Sequence, residues 1–395
     1  METRCSGHDE RLMQFALAAP ARIEFGRGKS GMVAPAVTAL GLRVLLVRGR
    51  SVAWADTLER DLKSGGAAVT VVYGSGEPDL PLLLNLVEEA REAQIDVVVG
   101  VGGGSVIDLA KALAALVPAP AGPMRYLEVV GEGKPLEAAP LPFVAVPTTS
   151  GTGAEVTKNA VIGIPEAGRK VSLRDNRMLA DLAVIDPALT DGCPASVTLA
   201  SGLDAVVQVI EPYLSSRATV LSDALCRDAI PRGLRALHTL VGSENAAARD
   251  DLALTSVYGG LALANSGLGA VHGVAGVLGG TTGIPHGVLC GRFLPLVLKD
   301  HDEATDLPDP VRTRLEEVKL WMATVLGGSK ENSIDALEAW IDQAGLPWLS
   351  DLVDGPVDSD AVAAASALSS SMKGNPVTIP HERLSQMIRV AFTKR

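Results

Sequence analysis

The chain has 395 residues, 47% hydrophobic and 21% charged, with 41 glycines and 24 prolines, enough for a large core in two domains. Its formal charge of −11 and pI near 5.1, with no basic stripe, exclude nucleic acid and acidic membranes as partners through repulsion and leave small-molecule chemistry. Four cysteines, Cys5, Cys193, Cys226 and Cys290, show no C-x-x-C spacing or dense pattern, which fits a reduced cytoplasmic protein. The N-terminal stretch Met1 to Glu10 is polar and mixed in charge, without a targeting signature, and no segment offers about twenty unbroken apolar residues for a membrane helix.

In chain order, short β-branched runs at Arg43 to Val47, Ala68 to Val72, Asp96 to Val99 and Phe143 to Val146 predict strands. Between them, Trp54 to Ser64, Leu80 to Gln94 and Val106 to Leu116 have helical spacing. Continuous apolar strands alternating with helices imply an α/β fold whose parallel sheet is covered on both faces. From about Ala195 the sequence turns to Ala, Leu, Glu and Arg with helical periodicity, so an all-α half follows, with Gly242 to Asp251 and Asp300 to Arg314 as polar connections. We place the boundary near Gly192, giving domains over 1–192 and 193–395.

Two glycine-rich stretches follow predicted strands. Gly100-Val-Gly-Gly-Gly-Ser105 with Val106-Ile-Asp108 forms a strand, a turn and a helix start. Glycine lets backbone approach a pyrophosphate, and the helix start adds amide donors and a favourable dipole. Pro147-Thr-Thr-Ser-Gly-Thr-Gly-Ala-Glu155 repeats the arrangement with hydroxyls from Thr148, Thr149, Ser150 and Thr152. Two such turns suggest one dinucleotide, held by Gly102, Gly103, Gly104, Ser105, Asp108 and those four hydroxyls. Singly, each turn is equally a tight connection, since the spacing is not G-x-G-x-x-G.

In this order and wording the two stretches resemble the signature of the iron-containing (group III) alcohol dehydrogenase family, with its dehydroquinate synthase-like fold. The likeness continues through Phe25-Gly26-Arg27-Gly28, Val184-Ile185-Asp186-Pro187, Gly202-Leu203-Asp204-Ala205, Gly269-Ala270-Val271-His272, Pro285-His286-Gly287 and Met372-Lys373-Gly374-Asn375-Pro376. It implies an NAD(P)-dependent oxidoreductase acting on CH–OH groups, a homodimer or larger assembly, and a helical half that carries metal and substrate. NAD-preferring members have an Asp where this chain has Gly49. That carboxylate would repel a 2′-phosphate; its loss, with Arg48 and Arg50 beside it, favours NADP over NAD. The alternative is that both arginines are solvated surface residues.

The resemblance also implies a divalent metal, Fe or Zn, on Asp204, Gln208, His272 and His286. Gln208 stands where the family has His and offers only a weakly basic carbonyl oxygen, so weaker binding is expected. Asp204 and Gln208 are four apart and share one helix face. Cys290, four residues after His286, is read as a buried thiol. Gly276 replaces the family's suspected proton-relay His. His272 and His286 are the expected catalytic residues, and Lys170 stands where the family often has a lysine near substrate, though a lone Lys is equally a surface residue. The leading reading is metal-assisted hydride transfer to a small carbonyl compound. The alternatives are a metal-free reductase resembling maleylacetate reductases, a sugar-phosphate cyclase of the lyase class, and a non-enzymatic binding protein.

Overall fold

A computed structural model describes residues 15–74 and 76–394, so Cys5 lies outside the described residues. The first half alternates β1 (Ile23–Phe25), α1 (Val33–Leu40), β2 (Arg43–Gly49), α2 (Trp54–Ser64), β3 (Ala68–Gly74), α3 (Leu80–Glu92), β4 (Val97–Gly102), α4 (Gly104–Leu116) and β5 (Phe143–Pro147). After a long connection come β6 (Asn159–Ile164), β7 (Arg169–Arg174) and β8 (Leu182–Ile185). Six strands form a parallel sheet in the order β1-β8-β5-β4-β2-β3, and β6 and β7 pair apart from it as an antiparallel hairpin. Absent from the predicted strands are β1, β8 and this hairpin: β1 and β8 have three and four residues, and the alternation of β6 and β7 is confined to six residues each, without a long β-branched run.

The sheet is apolar on both faces because both are covered. On one face Val44, Leu46, Val97, Val99, Val101, Val144 and Val146 pack with Ala55, Leu58 and Leu62 of α2 and Val33 and Val37 of α1. On the other, Leu45, Val47, Val98 and Phe143 pack with Leu83 and Leu86 of α3 and the apolar residues of α4. Helices α2 and α4 therefore leave adjacent strands β2 and β4 toward opposite faces. The carboxyl ends of those strands are the sheet's topological switch point, the place where α/β sheets take nucleotides.

The second half is helical: α5 (Ala195–Leu214), α6 (Val220–Gly242), α7 (Ala246–Ser266), α8 (Ala270–Thr282), α9 (His286–Glu303), α10 (Asp309–Leu326), α11 (Ser333–Gln343), α12 (Ser359–Ala367) and α13 (His381–Ala391). The polar stretches at 242–251 and 300–314 are shorter as connections than their composition suggests. The Asn245 side chain caps α7 by accepting from Ala248 N–H, and Pro308 precedes the first turn of α10, so helix begins inside both. Among the described residues no single helix is long and apolar enough to cross a membrane. One core joins the helices, with Leu203, Val207, Ile210, Val271, Leu289, Phe293 and Leu294 at its centre.

The start of α9 rests directly on α5. A Cβ placed on Gly287 would fall well inside contact distance of the Ala200 carbonyl oxygen, with no flexible side chain to give way. Gly287→Ala is therefore expected to destabilise the helical half by about 1–3 kcal/mol through overpacking, read as a lower denaturation midpoint. An unchanged midpoint would show that α9 can move off α5 freely.

Candidate functional site

Paired parallel strands bring the two glycine-rich turns together. Gly102, the last residue of β4, is in register with Pro147, the last of β5, and Thr148 N–H donates to the Gly102 carbonyl at 2.9 Å. The turns then touch. A Cβ on Gly104 would lie 2.5 Å from Thr152 Oγ1, and one on Gly102 would lie 2.8 Å from Val106 Cβ, so both positions need glycine for packing. Gly103 differs: a Cβ there would meet Thr149 Oγ1 at 3.3 Å and otherwise project into free space. Helix α4 starts at Gly104 with no side-chain cap, leaving its first amides for a ligand; Ser105 is in that turn. Thr148 and Ser150 are buried, and Thr149 and Thr152 are partly exposed.

Asp108, expected at the cofactor, is committed elsewhere. Its carboxylate accepts from Val161 N–H at 3.0 Å and lies 3.8 Å from Lys111 Nζ, tying α4 to the β6–β7 hairpin. Burial pushes its pKa up to about 6 against the opposing charge of Lys111.

At the end of β2, adjacent to β4, Gly49 leaves the switch point without a carboxylate at that position. Arg48 is not available to a phosphate: it is buried, paired with Asp56 and donating to Val52 O at 2.7 Å. Arg50 is exposed and stacks its guanidinium over Tyr73, 5.0 Å from the ring centre. Only Arg50 of the pair keeps an uncommitted charge among the ion pairs of the described residues.

In the helical half, three helices converge on a cluster of donors. Asp204 of α5, His272 of α8, and His286 and Cys290 of α9 each present a ligand-type atom, all within 4.8 Å of one another. Asp204 Oδ1 stands 3.2 Å from His272 Nε2 and 3.7 Å from His286 Nε2, yet it is buried and makes no well-aligned hydrogen bond. Cys290 Sγ lies 3.5 Å from His286 Nε2 and 4.0 Å from His272 Nε2. The thiol is buried, as expected, but among the donors and not in apolar packing alone. Its sequence signal was the i, i+4 spacing from His286, which puts both on one face of α9. Gln208, one turn beyond Asp204, donates its amide to the Thr152 carbonyl at 2.6 Å and so links α5 to the second glycine turn.

Glu211, which sequence reasoning missed, holds His272. One carboxylate oxygen accepts from His272 Nδ1 at 2.6 Å and the other from Val271 N–H at 2.6 Å. It thereby fixes the ring with Nε2 toward Asp204 and supplies a cap that α8 lacks from its own Gly269. Asn375 assists by accepting from Ala270 N–H at 3.1 Å. The available clue was spacing, since Glu211 follows Asp204 by seven residues and lies on the same stripe of α5.

The electrostatics favour positive charge. Burial lowers the pKa of His286, but Cys290 and Asp204 outweigh it and raise it to about 9. Burial likewise opposes charge on His272, and Cys290, Glu211 and Asp204 raise it well above the usual imidazole value. For Asp204 burial is the largest influence and acts upward; the two imidazoles overcome it and lower its pKa. These residues fit a divalent cation: a buried carboxylate oxygen lacks an aligned partner, and two imidazoles and a sulfur face it. The His286 side chain is 30% exposed, so the cluster opens on that side. Lys170 is paired with Glu77 and rests against α8, placed so that a Cβ on Gly279, seven residues beyond His272, would be 2.8 Å from its Nζ.

Comparison with known proteins agrees with this arrangement. The profile of iron-containing alcohol dehydrogenase matches residues 20–187, and that of the Fe-containing alcohol dehydrogenase family C-terminal region matches 198–392. The chain is 37% identical to long-chain-alcohol dehydrogenase 1 of Geobacillus thermodenitrificans over 69% of this chain and 70% of that protein. It is 29% identical to lactaldehyde reductase of Escherichia coli over 93% and 97%, respectively. It spans 60% of the length of the EutG protein of Salmonella typhimurium, at 39% identity over 61% of this chain. The crystal structure of a 1,3-propanediol oxidoreductase superposes with a TM-score of 0.84 at 28% identity, covering 96% of this chain and all of that one (100%). An iron-containing alcohol dehydrogenase from Thermococcus thioreducens gives the same score, identity and share of this chain, covering 99% of its own. With both halves matched in order and the donor cluster between helices of the second, the chain belongs to the iron-containing alcohol dehydrogenase family.

Proposed function

We propose that this protein is a metal-assisted, NAD(P)-dependent alcohol dehydrogenase or aldehyde/ketone reductase acting on a small carbonyl compound. The observation that carries the reading is the buried Asp204 oxygen, unsatisfied by an aligned hydrogen bond and facing two imidazoles. Burial makes that carboxylate costly to hold, and a positive charge beside it, a protonated imidazole or a cation shared with both imidazoles, offsets the cost. Asp204, His272 and His286 would hold the ion, with the Gln208 carbonyl oxygen as a weaker candidate donor. When bound, the ion supplies Lewis acidity to a carbonyl or alcohol oxygen and the nicotinamide supplies or accepts a hydride.

The chain's own groups do the positioning. Amides at Gly103 to Ser105 and hydroxyls of Thr149 and Thr152 would hold the pyrophosphate. Glu211 holds His272 in one tautomer and orientation. Gly276, one turn after His272, has no side chain to relay a proton, and the space beside it, where an added Cβ would touch nothing within 4 Å, leaves room for water to do so. Lys170, neutralised by Glu77, is better assigned to structure than to substrate. The metal-free reductase reading finds no support in a cluster with four candidate donors. The residues between His272 and His286 are Gly, Val, Ala, Leu, Thr, Ile and Pro, without the cations a phosphorylated acid would require, which argues against the cyclase class. The names of the relatives, which concern long-chain alcohols, lactaldehyde and 1,3-propanediol, support a CH–OH substrate class and do not select a member. Within this reading the enzyme works in the cytoplasm as a homodimer or larger assembly.

For cofactor choice, Gly49 without a carboxylate and Arg50 beside it support NADP over NAD, now with one arginine instead of two. Gly49→Asp is expected to weaken NADPH binding about tenfold or more, roughly 1.4 kcal/mol, and to leave NADH nearly unchanged. Fluorescence titration with both nucleotides reads this directly, and a wild type that already prefers NADH tenfold would overturn the NADP assignment.

Gly103→Val tests the cradle, because Gly103 is the turn glycine whose added side chain would enter ligand space before protein. Nucleotide affinity should fall by an order of magnitude or more with the thermal midpoint little changed. Retained affinity would show that the pyrophosphate lies elsewhere.

The metal reading predicts one divalent ion per chain by elemental analysis, loss of turnover on exhaustive chelation, and recovery on adding the ion back. Asp204→Ala should abolish stoichiometric binding. A wild type at full rate after chelation, with no metal in it, would replace this mechanism with the metal-free one.

A further inference from the structure

We infer that Cys290 is a ligand of this metal site, so that the ion is held by one carboxylate, two imidazoles and one thiolate, and is a borderline-soft divalent ion of the zinc or cobalt kind. The inference rests on the metal-assisted reading above and adds to it a donor outside the family's own set.

Three observations carry it. The first is geometric. Zinc-type bonds of about 2.0–2.3 Å from a common tetrahedral centre put the donors roughly 3.3–3.7 Å apart. The separations here, 3.2 and 3.7 Å from Asp204 Oδ1 to the two imidazoles and 3.5 and 4.0 Å from Cys290 Sγ to the same atoms, surround that range. The second is the Asp204 oxygen, buried without an aligned hydrogen bond and within 4.8 Å of the Cys290 sulfur and both imidazoles, so one cation could serve all four. The third is the fate of Gln208. Where the family places an imidazole, this chain has an amide whose nitrogen donates to the Thr152 carbonyl and whose oxygen is a weakly basic donor at best, and Cys290 of α9 offers the cluster a stronger fourth donor.

The chemistry differs from that of an Asp–His–His–His set. A cysteine ligates as its thiolate, a softer donor that favours zinc-like ions over hard ones. Its extra negative charge makes the liganded centre neutral overall instead of singly positive, which lessens the ion's pull on a substrate oxygen. Four protein donors also fill a tetrahedron, so the substrate must expand the coordination number on the open His286 side.

The experiment is cobalt substitution of the full-length protein after chelation, followed by absorption spectroscopy and competitive titration. Wild type should bind one Co(II) per chain and show a thiolate-to-cobalt charge-transfer band in the near ultraviolet. Cys290→Ser should lose that band and weaken cobalt binding at least tenfold, whereas Cys193→Ser, Cys226→Ser and Gln208→Ala should keep the band. Stoichiometric cobalt with only ligand-field bands in the wild type would overturn Cys290 as a ligand and leave the metal reading standing. A band that survives in Cys290→Ser would also overturn it. Absence of bound cobalt in the wild type would sink both together. Because the wild-type spectrum is itself decisive, misfolding of a variant does not protect the inference.

Discussion

The placement of one buried cation fixes the two glycine-rich turns relative to each other. Lys111 of α4 donates its ammonium to the Ala154 carbonyl at 2.7 Å, the Asn159 carbonyl at 2.8 Å and Thr157 Oγ1 at 2.9 Å. Three acceptors match its three protons, so the charge is buried without an orphaned donor. Burial lowers its pKa to about 8 while Asp108 and Glu155 oppose, and it stays cationic at neutral pH. The segment after the second glycine turn is thereby fastened to the helix that follows the first.

The same segment is held from the other side. Gln208 of α5 reaches Thr152, and Gly153 meets Gly260 of α7 backbone to backbone: a Cβ on Gly260 would sit 2.5 Å from the Gly153 carbonyl oxygen. Gly153 also adopts φ +57°, which a side chain would strain. The second glycine-rich turn and the helix bearing Asp204 therefore share contacts directly, and the relative placement of turn and cluster follows from packing instead of from a flexible linker.

Within the helical half, orientation comes from groups outside the donors themselves. Helix α8 begins on a glycine and takes its caps from Glu211 and Asn375, which come from elements distant in sequence. One carboxylate thus both ends the unsatisfied amides of α8 and points His272. Close approach of α9 to α5 at Gly287 brings His286 and Cys290 over Asp204. A pattern of this kind is distributed over four segments and has no local signature.

The sequence by itself determined the alternation of apolar strands and helices, since parallel strands covered on both faces must be continuously apolar, and it placed helix α2 at its observed limits of Trp54 and Ser64. It also pointed to the two turns through their runs of glycine and hydroxyl residues after apolar strands, and to Asp204, His272 and His286 through the family resemblance, with only six histidines in the chain to choose from. What only the tertiary structure decided is which polar groups are already spent. Arg48 is taken by Asp56, Asp108 by Val161 and Lys170 by Glu77. Cys290 and Glu211 conversely join the cluster, as their spacings from His286 and Asp204 allow but cannot prove. Spacing fixes which face of a helix a side chain occupies. Which partner waits opposite that face depends on packing between segments far apart in the chain, and hydrogen bonds and charge follow that packing.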